Sequence, residues 1–228
     1  MPGKLHHEEL YRGTERLARL GDVPLTLCGA GALGSHLADN LARQGFRRLR
    51  VIDRDRVEGH NVSTQLYGEA EVGAWKVEVL RQRLFRAAGV EADAVRKELT
   101  DRNARGLLAG ASLVVDTFDN AGGRRLVRET CRALPVSCLH VGLYADYGEV
   151  VWDEVYRLPG DVAGNVCDYP LARNLVLLTV AVASEVIVRW ALDGVRQSWS
   201  VTLGDFAVRP LEPPESAENT TTPGRPPG

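Results

Sequence analysis

The chain has 228 residues, 44% hydrophobic and 25% charged, the make-up of a single globular α/β domain with a full core. A net charge of -2 offers no basic surface for nucleic acid or an anionic membrane. The four cysteines, Cys28, Cys131, Cys138 and Cys167, form no C-x-x-C pair, so neither zinc nor a secreted disulfide framework is expected, and a reducing cytoplasm fits.

The opening "MPGKLHHEELYRGTERL" is polar and lacks the apolar run of a signal peptide. "EELYRGTERLARLG" puts Leu10, Leu17 and Leu20 on one short amphipathic helix that stops at Gly21. "VPLTLC" then reads as a buried strand, a glycine turn follows, and "ALGSHLADNLARQGF" is helical with Leu33, Leu37 and Leu41 on one face. "RLRVID" is a second strand ending at Asp53, "GAWKVEVLRQRLFRAAG" a helix, "ADAVRKEL" a short strand and "DRNARGLLAG" a short helix. "ASLVVDTFD" delivers Asp116 and Asp119 to a strand end, "NAGGRRLVRETCRAL" is a helix, and "PVSCLHVGL" is the next strand. This alternation predicts a Rossmann-like, doubly wound, mainly parallel sheet whose ligands sit beyond the strand carboxyl ends.

After Gly142 the pattern changes. "YGEVVWDEVYRL" predicts an antiparallel hairpin extending the sheet, and "LVLLTVAVASEVIVRWAL", broken by Ser184, Glu185 and Arg189, predicts a buried or interface helix rather than a membrane span. "SWSVTL" is the expected last strand, giving one domain over residues 1–211, and the Pro-rich 212–228 is expected to be a disordered tail.

In "CGAGALGSHLADNLARQG", Gly29 permits a tight turn, Gly31 lets backbone N–H groups of the turn and of Ala32 and Leu33 approach a phosphate, and Gly34 packs the helix on the strand. Asp53, at the next strand end, is placed for ribose hydroxyls. That fingerprint suits NAD as well as ATP. Nucleotidyl transfer, unlike hydride transfer, needs cations and a metal-binding acid near the phosphates. Lys4, Lys76 and Lys97 are the chain's only lysines, so Lys76 draws notice.

The glycine turn, "VIDRDRVEGHNVSTQLYGEAEVGAWK" and "DTFDNAGGRR" together resemble the ThiF/MoeB/HesA family, bacterial relatives of the ubiquitin-activating enzymes, in motif order and spacing. The resemblance implies a homodimer that binds ATP and Mg2+ and adenylates the C-terminal carboxylate of a small ubiquitin-like or sulfur-carrier protein ending in Gly-Gly. Carried over, Asp53 holds the ribose with Asp55 beside it, Asn61 and Lys76 contact the phosphates, Asp119 positions magnesium, and Asn120 and Arg124 shape the pocket. Arg12, or less directly Arg16, would enter a second subunit's site, and Cys167 would accept the acyl group or join a sulfur-transfer step. Taken singly, each residue also suits a surface, turn or capping role.

Two departures stand out. Thr64 in "NVSTQ" occupies the position of a family arginine, for which Arg54, Arg56 or a subunit-crossing arginine could substitute, and the paired C-x-x-C motifs of larger relatives are missing. Adenylation of a peptide or tRNA-borne carboxylate, a catalytically impaired ATP-binding scaffold and an NAD(P) oxidoreductase are the alternatives.

Overall fold

The computed structural model describes residues 2–158 and 170–211. The expected N-terminal helix is two, α1 (His6–Arg12) and α2 (Thr14–Leu20), because Gly13 between them adopts φ +87° and redirects the chain. Leu17 and Leu20 reach the core, while Leu10, expected on the same helix, is 71% exposed. β1 (Pro24–Cys28), α3 (Ala32–Arg43), β2 (Arg48–Ile52), α4 (Lys76–Ala88) and β3 (Asp93–Val95) form the first half. α5 (Ala104–Leu108), β4 (Leu113–Asp116), α6 (Ala121–Ala133) and β5 (Ser137–Tyr144) continue the alternation. The chain then runs through β6 (Tyr147–Trp152), α7 (Arg173–Asp193), β7 (Ser198–Thr202) and β8 (Ala207–Leu211).

The strands form one sheet in the order β3-β2-β1-β4-β5-β6-β7-β8. β3 through β5 are parallel in that order, and β6, β7 and β8 extend the sheet antiparallel. The expected hairpin is thus built differently: "YGEVVW" alone pairs back onto β5, and β7 closes a second hairpin with β8, a strand absent from the sequence reading. β8 was hidden because "AVRPL" contains a proline, tolerated on this edge strand.

From β1 the chain winds out through β2 to β3, then crosses to β4 on the other side of β1. The crevice outside the carboxyl ends of β1 and β4 is therefore the topological switch point where such sheets bind ligands. α3 buries Leu37 and Leu41 completely, each worth about 1.5–3 kcal/mol of transfer free energy. α5 and α6 cover the other face around Ile52, Val114, Val127 and Cys131. α7 is long and apolar enough to cross a membrane by length and composition, yet it buries Leu175, Val176, Ala183, Ile187 and Val188 in the protein core, packed on α3, β6 and β7.

Candidate active site

Gly29 leaves β1 with φ +108°, and its N–H donates to the Ile52 carbonyl, which fixes the turn against β2. A methyl group on Gly34 would collide with the Gly29 carbonyl, so a side chain there would push α3 off the turn. Gly31 has open space where a side chain would stand. α3 has no side-chain cap at Gly31, so its first-turn N–H groups, those of Ala32 and Leu33 among them, face outward for an anion.

Asp53 follows β2 directly and is 8% exposed. Its Oδ2 accepts the Ala30 N–H and its Oδ1 the Asp55 N–H, both at 2.7 Å. Burial raises the carboxyl pKa, and the Lys76 charge and the two N–H donors oppose that rise. Lys76 opens α4; its N–H is anchored on the Asp55 carbonyl and its Nζ lies 3.6 Å from Asp55 Oδ2. The lysine is 7% exposed, so one of the chain's rare ammonium groups is held almost buried beside two carboxylates.

Asn61 lies in a short 3-10 turn (Gly59–Ser63), where its Oδ1 accepts the Glu58 N–H at 2.9 Å. The strand of loop that follows is laced to the glycine turn at three points. His36 Nε2 hydrogen-bonds the Thr64 carbonyl at 3.1 Å, Ser35 Oγ accepts the Leu66 N–H, and Tyr67 donates to the Ala30 carbonyl at 2.8 Å.

Asp116 and Asp119, both expected at the end of one strand, part company in the fold. Asp116 is fully buried, 2.8 Å from His140 Nδ1 and 3.7 Å from Arg124 Nη1, and it accepts the Phe118 N–H. Asp119 is exposed beyond the end of β4, and Asn120 caps α6 by accepting the Gly123 N–H at 2.7 Å. Arg124 turns inward, donating to the Tyr156 hydroxyl and the Val141 carbonyl. His140 stacks on Tyr156 at 3.8 Å. Burial works against its imidazolium, but the Asp116 and Asp153 carboxylates outweigh it and raise the pKa.

Within the chain Arg12 binds Glu8 at 2.7 Å and Glu185 at 2.8 Å, and Arg16 pairs with Asp193 of α7. Neither points away from its own chain. Arg54 pairs with Glu98, and Arg56 lies 3.7 Å over the Trp75 ring, so neither stands at Thr64. Arg173, which the sequence reading passed over, does: its Nη1 donates to the Ser63 carbonyl at 3.3 Å and the Gln65 carbonyl at 3.5 Å. Nothing local signals this pairing, because the two segments are more than a hundred residues apart. Cys167 lies outside the described residues, as do 212–228. A cavity of about 330 Å³ lined by Cys131, Arg132, Cys138 and Arg196 opens at the amino end of β5, the opposite end of the sheet from the glycine turn. Among the described residues no cluster of three or more His, Cys, Asp or Glu is arranged to hold a metal.

The profile of the ThiF family matches residues 7–161. The chain belongs to the ThiF family. This ThiF-family chain is 35% identical over 142 residues to the sulfur carrier protein adenylyltransferase of Thermus thermophilus, covering 60% of this chain and 52% of that protein. It is 33% identical over 140 residues to the adenylyltransferase and sulfurtransferase MOCS3 of Anopheles gambiae, covering 56% and 32%. It thus spans about a third to a half of the length of these curated relatives. Among solved structures it shares its fold with Escherichia coli MccB, determined with ATP, at TM-score 0.77 and 14% identity, covering 92% of this chain and 72% of that one. The ThiF fold thus accounts for the mixed sheet.

Proposed function

We propose that this chain is an ATP-dependent adenylyltransferase acting on the C-terminal carboxylate of a small ubiquitin-like or sulfur-carrier protein with a Gly-Gly end. The position of Lys76 carries the reading: a nearly buried ammonium beside Asp53 and Asp55, close to the open first turn of α3. Hydride transfer develops no new charge on the phosphates for that ammonium to meet, whereas phosphoryl displacement does. The names of the curated relatives support the same chemistry.

In this reading the phosphates lie over Gly31 and the N–H groups of Ala32 and Leu33. Asp53 keeps free lone pairs on both oxygens for the ribose hydroxyls. The substrate carboxylate forms a bond to the α-phosphorus as the bond to the pyrophosphate oxygen breaks, giving an acyl-adenylate and pyrophosphate. Lys76, already only 3.6 Å from its Asp55 partner, shifts to meet the charge gathering on the leaving group. Asn61 donates from its amide nitrogen, its oxygen being engaged by Glu58. Asp119, an exposed carboxylate, would be the oxygen donor that holds magnesium. When bound, magnesium supplies charge neutralisation on the phosphate oxygens. Arg124 and Asn120 shape the pocket indirectly, by pinning β5 and the start of α6.

We assign the surface around Leu10 and Tyr11, 71% and 79% exposed, to a second copy of the chain, making a homodimer. Arg12 reaches the partner's site only by leaving Glu8 and Glu185. The role of Cys167 as acyl or sulfur acceptor stands as part of the same proposal, as does a reducing, cytoplasmic setting. Thr64 favours a second reading, an ATP-binding scaffold without turnover. Thermal shift with Mg-ATP, ATP plus chelator and NAD tests the site: at a hundred times its Kd a ligand adds roughly 2.7 kcal/mol. Stabilisation by Mg-ATP and not NAD is expected; stabilisation by NAD alone overturns the proposal. Exchange of labelled pyrophosphate into ATP, with the carboxylate substrate present, separates enzyme from scaffold.

A further inference from the structure

Resting on the adenylation reading above, we infer that Arg173, at the start of α7, is a phosphate-contacting residue of the site and supplies the guanidinium that Thr64 lacks. The guanidinium spans the carbonyls on either side of Thr64, at 3.3 and 3.5 Å. It therefore lies against the backbone on both sides of Thr64.

The surroundings direct it toward the phosphate end. The loop under Arg173 runs back along the first turns of α3, with Thr64 on His36, Leu66 on Ser35 and Tyr67 on Ala30. Five residues separate Gly31 from His36, about 7.5 Å of helix axis at 1.5 Å per residue. A triphosphate laid over Gly31 and extending along that turn brings its outer phosphates within reach of an arginine side chain. The charge is already felt there: burial lowers the His36 pKa, and Arg173 lowers it further against the pull of the Thr64 carbonyl.

The present contacts are those of a group awaiting a stronger partner. Both acceptors are neutral carbonyls, both bonds are long, and Arg173 makes no salt bridge with an acidic group among the described residues. Lys76, Arg12, Arg16, Arg54 and Arg124 all lie against carboxylates instead. A guanidinium exchanging two long carbonyl contacts for charge-assisted bonds to phosphate oxygens gains on binding, and the outer phosphates offer that pairing.

The test compares Mg-ATP with AMP, which lacks the outer phosphates, by calorimetry on the wild-type chain and on Arg173→Ala, Arg173→Lys and the double variant Arg173→Ala/Thr64→Arg. Arg173→Ala should weaken Mg-ATP about tenfold, the scale of one charge-assisted contact, and leave AMP unchanged. Arg173→Lys should fall between, since lysine keeps the charge and loses the fork. The double variant should recover most of the Mg-ATP affinity. Unchanged Mg-ATP affinity in Arg173→Ala overturns the inference while sparing the adenylation reading, and equal weakening of ATP and AMP shows a loop-holding role and overturns it too. If the wild-type chain binds no Mg-ATP, the reading on which the inference rests fails with it. A folded Arg173→Lys keeps the comparison decisive even if Arg173→Ala does not fold.

Discussion

Two buried charged clusters sit on either side of the switch point, and they are built for opposite ends. Around Asp116 the charges are closely paired: His140 lies between the Asp116 and Asp153 carboxylates, Arg124 lies against Asp116, and Arg128 and Arg132 close the outside on Asp153. Around Asp53 the partners are backbone N–H groups and one ammonium in a single 3.6 Å contact, next to a helix start with no side-chain cap. Burial and charge alone therefore do not mark the site; donors left without strong partners do. The first cluster holds β4, β5 and α6 together so that the second can present its groups at a fixed place.

The largest effect that would test this contrast is on stability. Asp116→Ala leaves the buried Arg124 and His140 without their shared carboxylate and should cost about 3–5 kcal/mol in a urea unfolding series. A loss below about 1 kcal/mol would mean the cluster is not charged as described. Next comes Lys76→Ala, which should lower pyrophosphate exchange by about 10²–10³-fold and also lower the unfolding midpoint, because the buried Asp53 loses the charge that opposes its burial while the half-exposed Asp55 is readily solvated. Undiminished exchange in a folded variant would strip Lys76 of its role.

A smaller effect lies in acid. Burial raises the Asp153 pKa, but bonds from His140, Arg132 and Arg128 outweigh it and hold the group at about 2. Its folded value is below the unfolded one, so its contribution is present above the ordinary aspartate range and is lost as pH falls through about 2. The melting midpoint should decline between about pH 4 and pH 2, and Asp153→Asn should flatten that decline. His140 runs the other way: with a raised pKa it contributes fully below the ordinary histidine value and less as pH rises through the folded one. The smallest effect is expected for Arg16→Ala, whose pair with Asp193 is close to half exposed at both ends. It should change stability by less than about 1 kcal/mol and leave exchange untouched.

Much of the fold was legible because hydrophobic periodicity follows the backbone. The alternation from β1 to β5, the shift to antiparallel pairing and the single long apolar helix all follow from residues a few positions apart. Two of the misreadings, the unbroken N-terminal helix and the missing β8, each hinge on one residue, Gly13 and Pro210, whose effect depends on φ and on edge position. Of the candidate site residues, those that the fold brings together lie on short, contiguous segments: the glycine turn, Asp53, Asp55 and Lys76.

By itself the sequence determined the wound sheet, the glycine turn and the set of charged residues on its loops, because these depend on local spacing and on the chemistry of single side chains. Only the tertiary structure decided how those residues divide their work. Asp116 and Asp119 are three residues apart, yet one is sealed inside and the other faces water, since the end of β4 separates the sheet interior from the crevice. Thr64 and Arg173 are far apart in the chain and meet only because α7 packs on α3 and brings its first residue over the loop. Contacts of that kind rest on packing between distant elements, which no window of sequence contains.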